Sequence, residues 1–235
     1  MRAIILAGGR GTRLAPYTTI LPKPLMPIGD MPILELLIRQ LARQGVCHVT
    51  LAVGHLASLI MAYFGHGERL GVEIDYSVED RPLGTAGPLG LIRGLDEAFL
   101  VVNGDLLTDL DFGTMVAAHR KAGAAATVGI YAREVTIDLG VVEADSDSML
   151  RAYREKPSFC YDVSMGVYVL EPKVLGLIPG NQSFDLPGLV QALVAAKERV
   201  LAFRHNGYWL DIGRPDDYQR AQDEFPARRA ALLGG

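Results

Sequence analysis

Three glycines and two arginines fall between Leu6 and Leu14 (LAGGRGTRL), directly behind the apolar run Ala3-Ile4-Ile5-Leu6-Ala7. Glycines behind a buried strand let the backbone approach an anion closely and aim its N–H groups at the oxygens. In an open parallel sheet that strand end is where ligands bind. The two common phosphate fingerprints are both missing. Leu14 stands where the dinucleotide pattern needs its third glycine, and Gly11-Thr12-Arg13 stands where a P-loop needs Gly-Lys-Ser/Thr. Lys23, between Pro22 and Pro24, adds a further cation on a backbone that the prolines fix. Arg10, Arg13 and Lys23 near one strand end suit a nucleoside triphosphate, whose charge is roughly −4.

A second stretch, residues 79–89 (EDRPLGTAGPL), could read a base. Gly84 and Gly87 flank Thr85-Ala86, so backbone can lie against a flat ring. Glu79 offers two acceptor oxygens. Guanine presents two adjacent donors to match them, uracil and thymine only one, and adenine no ring N–H on its pairing edge, so donor counting favours guanine. Asp105 closes the apolar run FLVVNGD and is placed to hold Mg²⁺, which prefers oxygen ligands and keeps several waters. Asp211 follows a second apolar stretch in GYWLDIG. Asp109 and Asp111 read instead as a turn former and the cap of a helix beginning near Gly113. Glu155 and Lys156 precede Pro157. His48, His55, His66, His119 and His205 show no zinc-ligand spacing, and no Ser-His-Asp arrangement or nucleophile elbow is present.

These residues need a scaffold, and the first half of the chain supplies an alternating one. Strands are expected at AIILA, HVTLAVG, VEIDYSVE and AFLVVNGD. Helices are expected at 31–44, with Ile33, Leu34, Leu37, Ile38 and Leu41 on one face and Gly45 as the stop; at 56–64, with Leu56, Leu59, Ile60, Tyr63 and Phe64 in register; and at 88–95. Apolar strands separated by helices imply a parallel sheet covered on both faces. The second half reads as antiparallel hairpins (AATVGIYAR, LGVVEAD, MLRAYREKP), a strand in VSMGVYVLEP, a helix at 184–198, final strands within RVLAFRHNGYWLDIG and a terminal helix from PDDYQRAQDEF that frays over RRAALLGG. The expected fold is one α/β domain over 1–235: a Rossmann-like, mixed but mostly parallel sheet flanked by helices, with a small strand-rich flap. Residues up to about 125 form a nucleotide-binding half, and about 126–225 a sugar-phosphate half. No hexapeptide β-helix signature appears.

Composition narrows the class. A hydrophobic share of 49% against 21% charged residues is that of an ordinary globular protein. A net charge of −4 gives no reason to expect nucleic acid or an anionic membrane as partner. Cys47 and Cys160 read as buried thiols in a reducing compartment, and the N-terminal apolar run is too short for a signal peptide or membrane span, so a cytoplasmic location is expected.

The run from Leu6 through Leu14, followed by Pro22-Lys23-Pro24, resembles the sugar-1-phosphate nucleotidyltransferases, and the PLGTAGPL run is most similar to the mannose-1-phosphate guanylyltransferases within them. The resemblance implies nucleotide contacts from Leu6, Ala7, Gly8, Gly9, Gly11, Thr12, Arg13, Lys23, Glu79, Pro82, Gly84, Thr85 and Asp105. It implies Mg²⁺ on Asp105 and Asp211, and sugar-phosphate contacts from Gly140, Glu155 and Lys156. Arg13 and Lys23 take the catalytic roles. The implied reaction is a single in-line displacement in which a sugar 1-phosphate attacks the α-phosphorus of an NTP, GTP by preference, and pyrophosphate leaves. Two departures fall on the sugar side: Leu139 precedes Gly140 where family members often carry Tyr, and Ser164 stands where many have Asn. They leave the sugar open. The alternatives are a uridylyl- or thymidylyltransferase and a regulatory subunit that binds nucleotide sugars without making them. A homo-oligomer is compatible with all of these.

Overall fold

The structure is a computed structural model describing residues 1–180 and 182–234. Its centre is a seven-stranded sheet. From one edge to the other run β12 (Val200–His205), β8 (Ala126–Thr136), β11 (Ser158–Leu170), β6 (Phe99–Asn103), β1 (Arg2–Leu6), β4 (His48–Val53) and β5 (Glu73–Val78). Parallel pairing joins β1 to β4 and β6, β4 to β5, and β12 to β8; only β11 runs against its neighbours. The inner strands are apolar throughout because both faces are covered, and Ala3, Ile4, Ile5, Leu100, Val101 and Val102 are all buried.

Helices α1 (Ile33–Arg43), α2 (Ala57–Phe64) and α3 (Phe112–Ala122) cover one face, and α4 (Leu186–Ala195) covers the other. The five apolar residues expected on one face of α1 are buried, and so are Leu36 and Gln40, because α5 (Pro215–Leu233) packs on the opposite side of the helix. Gln40 satisfies its buried amide by donating to the Thr108 carbonyl at 2.6 Å. Asp111 caps α3, accepting the Thr114 N–H at 2.8 Å, as its position implies.

Short pieces complete the frame. Strands β2 (Pro27–Ile28) and β3 (Met31–Pro32) pair with each other ahead of α1. Strand β7 (Leu106–Thr108) pairs antiparallel with β13 (Trp209–Asp211), Leu106 opposite Asp211. The second-half hairpin is β9 (Val141–Ala144) against β10 (Leu150–Arg154). It extends from the outer part of the β8–β11 ribbon, where β11 is largely exposed; from Met165 to Leu170 the same strand is buried. A register shift between Ser164 and Tyr168, with Gly166 at φ +74°, separates the two parts.

Four expectations are corrected. Cys47 and Cys160 are both exposed, one in the α1–β4 connection and the other on the projecting ribbon, so neither is a core thiol. Residues 88–95 form no α-helix. A 3₁₀ segment, Gly87–Leu91, stands there, because glycines at 90 and 94 leave too short a run to offset helix nucleation. In α2 only Ile60 and Phe64 are buried, while Leu59 and Tyr63 remain partly exposed. The terminal helix does not fray at Arg228: it continues to Leu233 because Leu232 is buried beneath it.

Candidate active site

The C-terminal ends of β1, β4 and β6 open into a cleft of about 490 Å³. Its walls include the glycine run from Leu6 to Arg13, then Lys23, Glu79, Pro82, Gly84, Thr85, Asn103 and Asp105. Every residue expected to contact nucleotide therefore lines one cavity. A larger groove of about 820 Å³ lies at the β5 edge, but one of its cations, Arg2, is already engaged by Thr50, Asp75 and two backbone carbonyls.

The glycine run is shaped by what it must pass. Gly11 has φ +62°, a left-handed turn that glycine adopts without steric cost. A Cβ on Gly8 would stand 2.6 Å from the Glu79 carboxylate, so this position brings the loop against Glu79. Gly9 differs from both. Apart from its chain neighbours, no atom of the described residues lies within 4 Å of an added Cβ there, so its lack of a side chain leaves open cleft rather than relieving a contact. Leu14 is fully buried and anchors the far end of the loop.

Lys23 is only 8% exposed and forms an ion pair with Asp105. The β7–β13 pairing carries the Asp211 strand to the same place, and the Ile212 N–H donates to the Asp105 carbonyl at 3.0 Å. Burial raises the Asp211 carboxyl above the usual Asp range, and the charge of Asp105 raises it further, against the opposing pull of Lys23 and Arg13. One Asp105 oxygen, Oδ1, is buried with no hydrogen-bond partner among the described residues. Two neighbouring carboxylates, one with an orphaned oxygen, fit a hard divalent cation. Among the described residues no three His, Cys, Asp or Glu side chains gather into a metal cluster. Mg²⁺ is commonly held by one or two carboxylates and completes its shell with water and substrate phosphates. Arg10 lines the cleft with no hydrogen bond or ion pair to another described residue.

Glu79 accepts the Leu83 N–H at 3.0 Å through Oε2. Each carboxylate oxygen accepts more than one hydrogen bond, so capacity remains for a ligand. Thr85 is more committed: its N–H and hydroxyl both donate to Asp185 Oδ1, at 2.9 and 3.2 Å.

The sugar-side residues lie outside the cleft wall, on and beside the hairpin. Glu155 accepts the Tyr153 hydroxyl at 2.9 Å, and Lys156, at φ +44°, pairs with Asp138 at 2.6 Å. Gly140 packs against the Tyr153 ring, leaving no room for a side chain. Asp109, set aside in the sequence, does structural work: it accepts the Tyr208 N–H at 2.6 Å and pairs with His205. Asn103 lines the cleft and packs its amide on Gly166. It was not anticipated, and the one signal for it was its place at a strand end beside Asp105.

The chain is similar to known proteins along almost its whole length. Residues 2–228 match the family model described as nucleotidyl transferase. A UTP–glucose-1-phosphate uridylyltransferase from Synechocystis sp. is 37% identical over 94% of the chain, and a mannose-1-phosphate guanyltransferase from Schizosaccharomyces pombe is 36% identical over 93%. The chain spans 62% of the length of these curated relatives. Among solved structures, HddC from Yersinia pseudotuberculosis complexed with GMP-PN superposes with a TM-score of 0.73 at 26% identity, covering 95% of this chain and 99% of that one. A Bacillus anthracis structure at 24% identity, covering 95% of this chain and 94% of that one with a TM-score of 0.77, bears on the fold alone.

Proposed function

The chain belongs to the nucleotidyl transferase family, and from that premise we propose that it transfers a nucleotidyl group from an NTP to a sugar 1-phosphate, releasing pyrophosphate. The observation that carries this reading is the meeting of Lys23, Asp105 and the glycine run in one cleft, with Asp211 brought alongside.

Two polyanions must meet, so the protein's task is neutralisation and alignment. Arg13 compensates charge on the departing pyrophosphate, and Lys23 on the α-phosphate. Lys156 holds the attacking phosphate once it releases Asp138, an exchange between exposed partners that costs little. Glu155 accepts hydrogen bonds from sugar hydroxyls. Asp105 and Asp211 would hold Mg²⁺, which when bound supplies positive charge against the phosphates of both substrates. No general base is required, since a sugar phosphate is already ionised at neutral pH.

GTP is the favoured donor and mannose 1-phosphate or a related hexose or heptose the favoured acceptor. Glu79 at the base end of the cleft and the likeness to guanyltransferases support this. UTP with glucose 1-phosphate is the second reading, favoured by the 37% identical uridylyltransferase.

Lys23→Ala and Asp105→Asn are each expected to slow turnover at least ~100-fold, the scale for losing one electrostatic stabiliser. Pyrophosphate release under saturating substrates measures this, and near-wild-type rates in either variant would refute the assignment.

A further inference from the structure

The loop that faces the base is held from a distance of a hundred residues. The Phe184 carbonyl accepts the N–H groups of Ala86 and Gly87, both at 2.9 Å, and the Phe184 N–H donates to the Leu83 carbonyl at 2.9 Å. Asp185 then takes both donors of Thr85. In return the Thr85 hydroxyl oxygen accepts the Leu186 N–H at 2.8 Å.

The result is a crossed cap. Asp185 occupies the N-cap position of α4 yet makes no side-chain bond to its own helix. The duty passes to Thr85, which satisfies one of the orphan N–H groups of the first turn. Fit is close: a Cβ on Gly84, already at φ +78°, would stand 2.7 Å from Asp185 Oδ1 and from the Phe184 carbonyl. The opposite side of this loop, through Pro82, Gly84, Thr85 and Pro88, is cleft wall, whereas Phe184, Asp185 and Leu186 line none of it.

We infer that Asp185 is a positioning residue for base recognition, setting the shape of residues 83–87 through Thr85. The inference rests on the nucleotide site proposed above. Its reach is confined to the base. Lys23 and Asp105 are held by each other and by Ile212, contacts in which the 184–186 segment has no part. Ligands carrying a base should therefore feel the loss of Asp185, and pyrophosphate should not.

The test compares Asp185→Ala with Asp185→Asn, whose amide oxygen can still accept from Thr85. Calorimetry gives the Kd of GTP and of UTP, and pyrophosphorolysis gives the KM of the nucleotide sugar and of pyrophosphate. The Ala variant is expected to raise Kd for the bound nucleotide, and KM for the nucleotide sugar, about tenfold, with kcat and the pyrophosphate KM within about twofold. The Asn variant should recover to within about threefold of wild type. If the Ala variant does not fold, Asp185→Ser, whose shorter hydroxyl can still cap α4 but falls short of the Thr85 donors, is expected to give the same split between base-bearing and base-free ligands. An unchanged nucleotide Kd, a pyrophosphate KM that rises in step, or an Asn variant as impaired as Ala would overturn the inference. A wild-type chain that binds no nucleotide would instead overturn the site.

Discussion

Asp105 and Asp211 set the electrostatics of the cleft. With Asp211 raised by burial and by Asp105, its ionised form is disfavoured in the folded chain unless a cation is present. Asp211→Asn should therefore stabilise the metal-free protein at neutral pH, raising Tm by roughly 2–4 °C for each ~1 kcal/mol of relieved repulsion. It should also abolish the Tm gain expected from Mg²⁺ in the wild type. Thermal melts with and without the ion measure both, and a metal-free Tm lowered by the substitution would contradict the account. The shared cleft was legible at this scale because the residue types that line it have little other reason to cluster: glycines beside arginines behind a strand, and a lysine between prolines. The reason for a given glycine was not legible. Gly8 yields to the Glu79 carboxylate and Gly11 to its backbone angle, while Gly9 faces only open cleft.

Helix α1 is the element on which several contacts converge. Its Glu35 is buried, accepts from Arg39 at 2.7 and 2.9 Å and from Tyr63 of α2 at 2.8 Å, and lies 3.2 Å from Arg69. Burial pushes its carboxyl upward, but the hydrogen bonds from Arg39 and Tyr63 and the charge of Arg69 outweigh it, leaving the group below the ordinary 4.5. A depressed carboxyl contributes stability above its unfolded value and loses it as pH falls through the folded one. Glu35→Gln should destabilise by about 1–3 kcal/mol at pH 7, with the difference from wild type shrinking below pH ~4.5. Urea melts across pH check this, and a difference that persisted undiminished at pH 3 would contradict it. Periodicity revealed α1 because its apolar spacing matches a helix facing a sheet. It could not reveal that α5 covers the other side, nor that Thr85 and Asp185 exchange caps, because both depend on contacts between segments far apart in sequence. It also misjudged 88–95, where an apolar run with glycines packs as a 3₁₀ turn.

Over the whole molecule, a chain of net charge −4 gathers Arg10, Arg13 and Lys23 at one mouth of its sheet, a local excess of positive charge suited to the two anionic substrates proposed above. The sheet draws strands from both halves, and the β7–β13 pairing brings Asp211 beside Asp105 from over a hundred residues away. The most direct measurement is a matrix of GTP, UTP, dTTP, ATP and CTP against mannose, glucose and heptose 1-phosphates, with Mg²⁺, scored by pyrophosphate release. The account predicts release that needs an NTP, a sugar 1-phosphate and the metal together, strongest with GTP. Release that proceeds without any sugar phosphate, or none from any pair although the protein binds nucleotide, would contradict it.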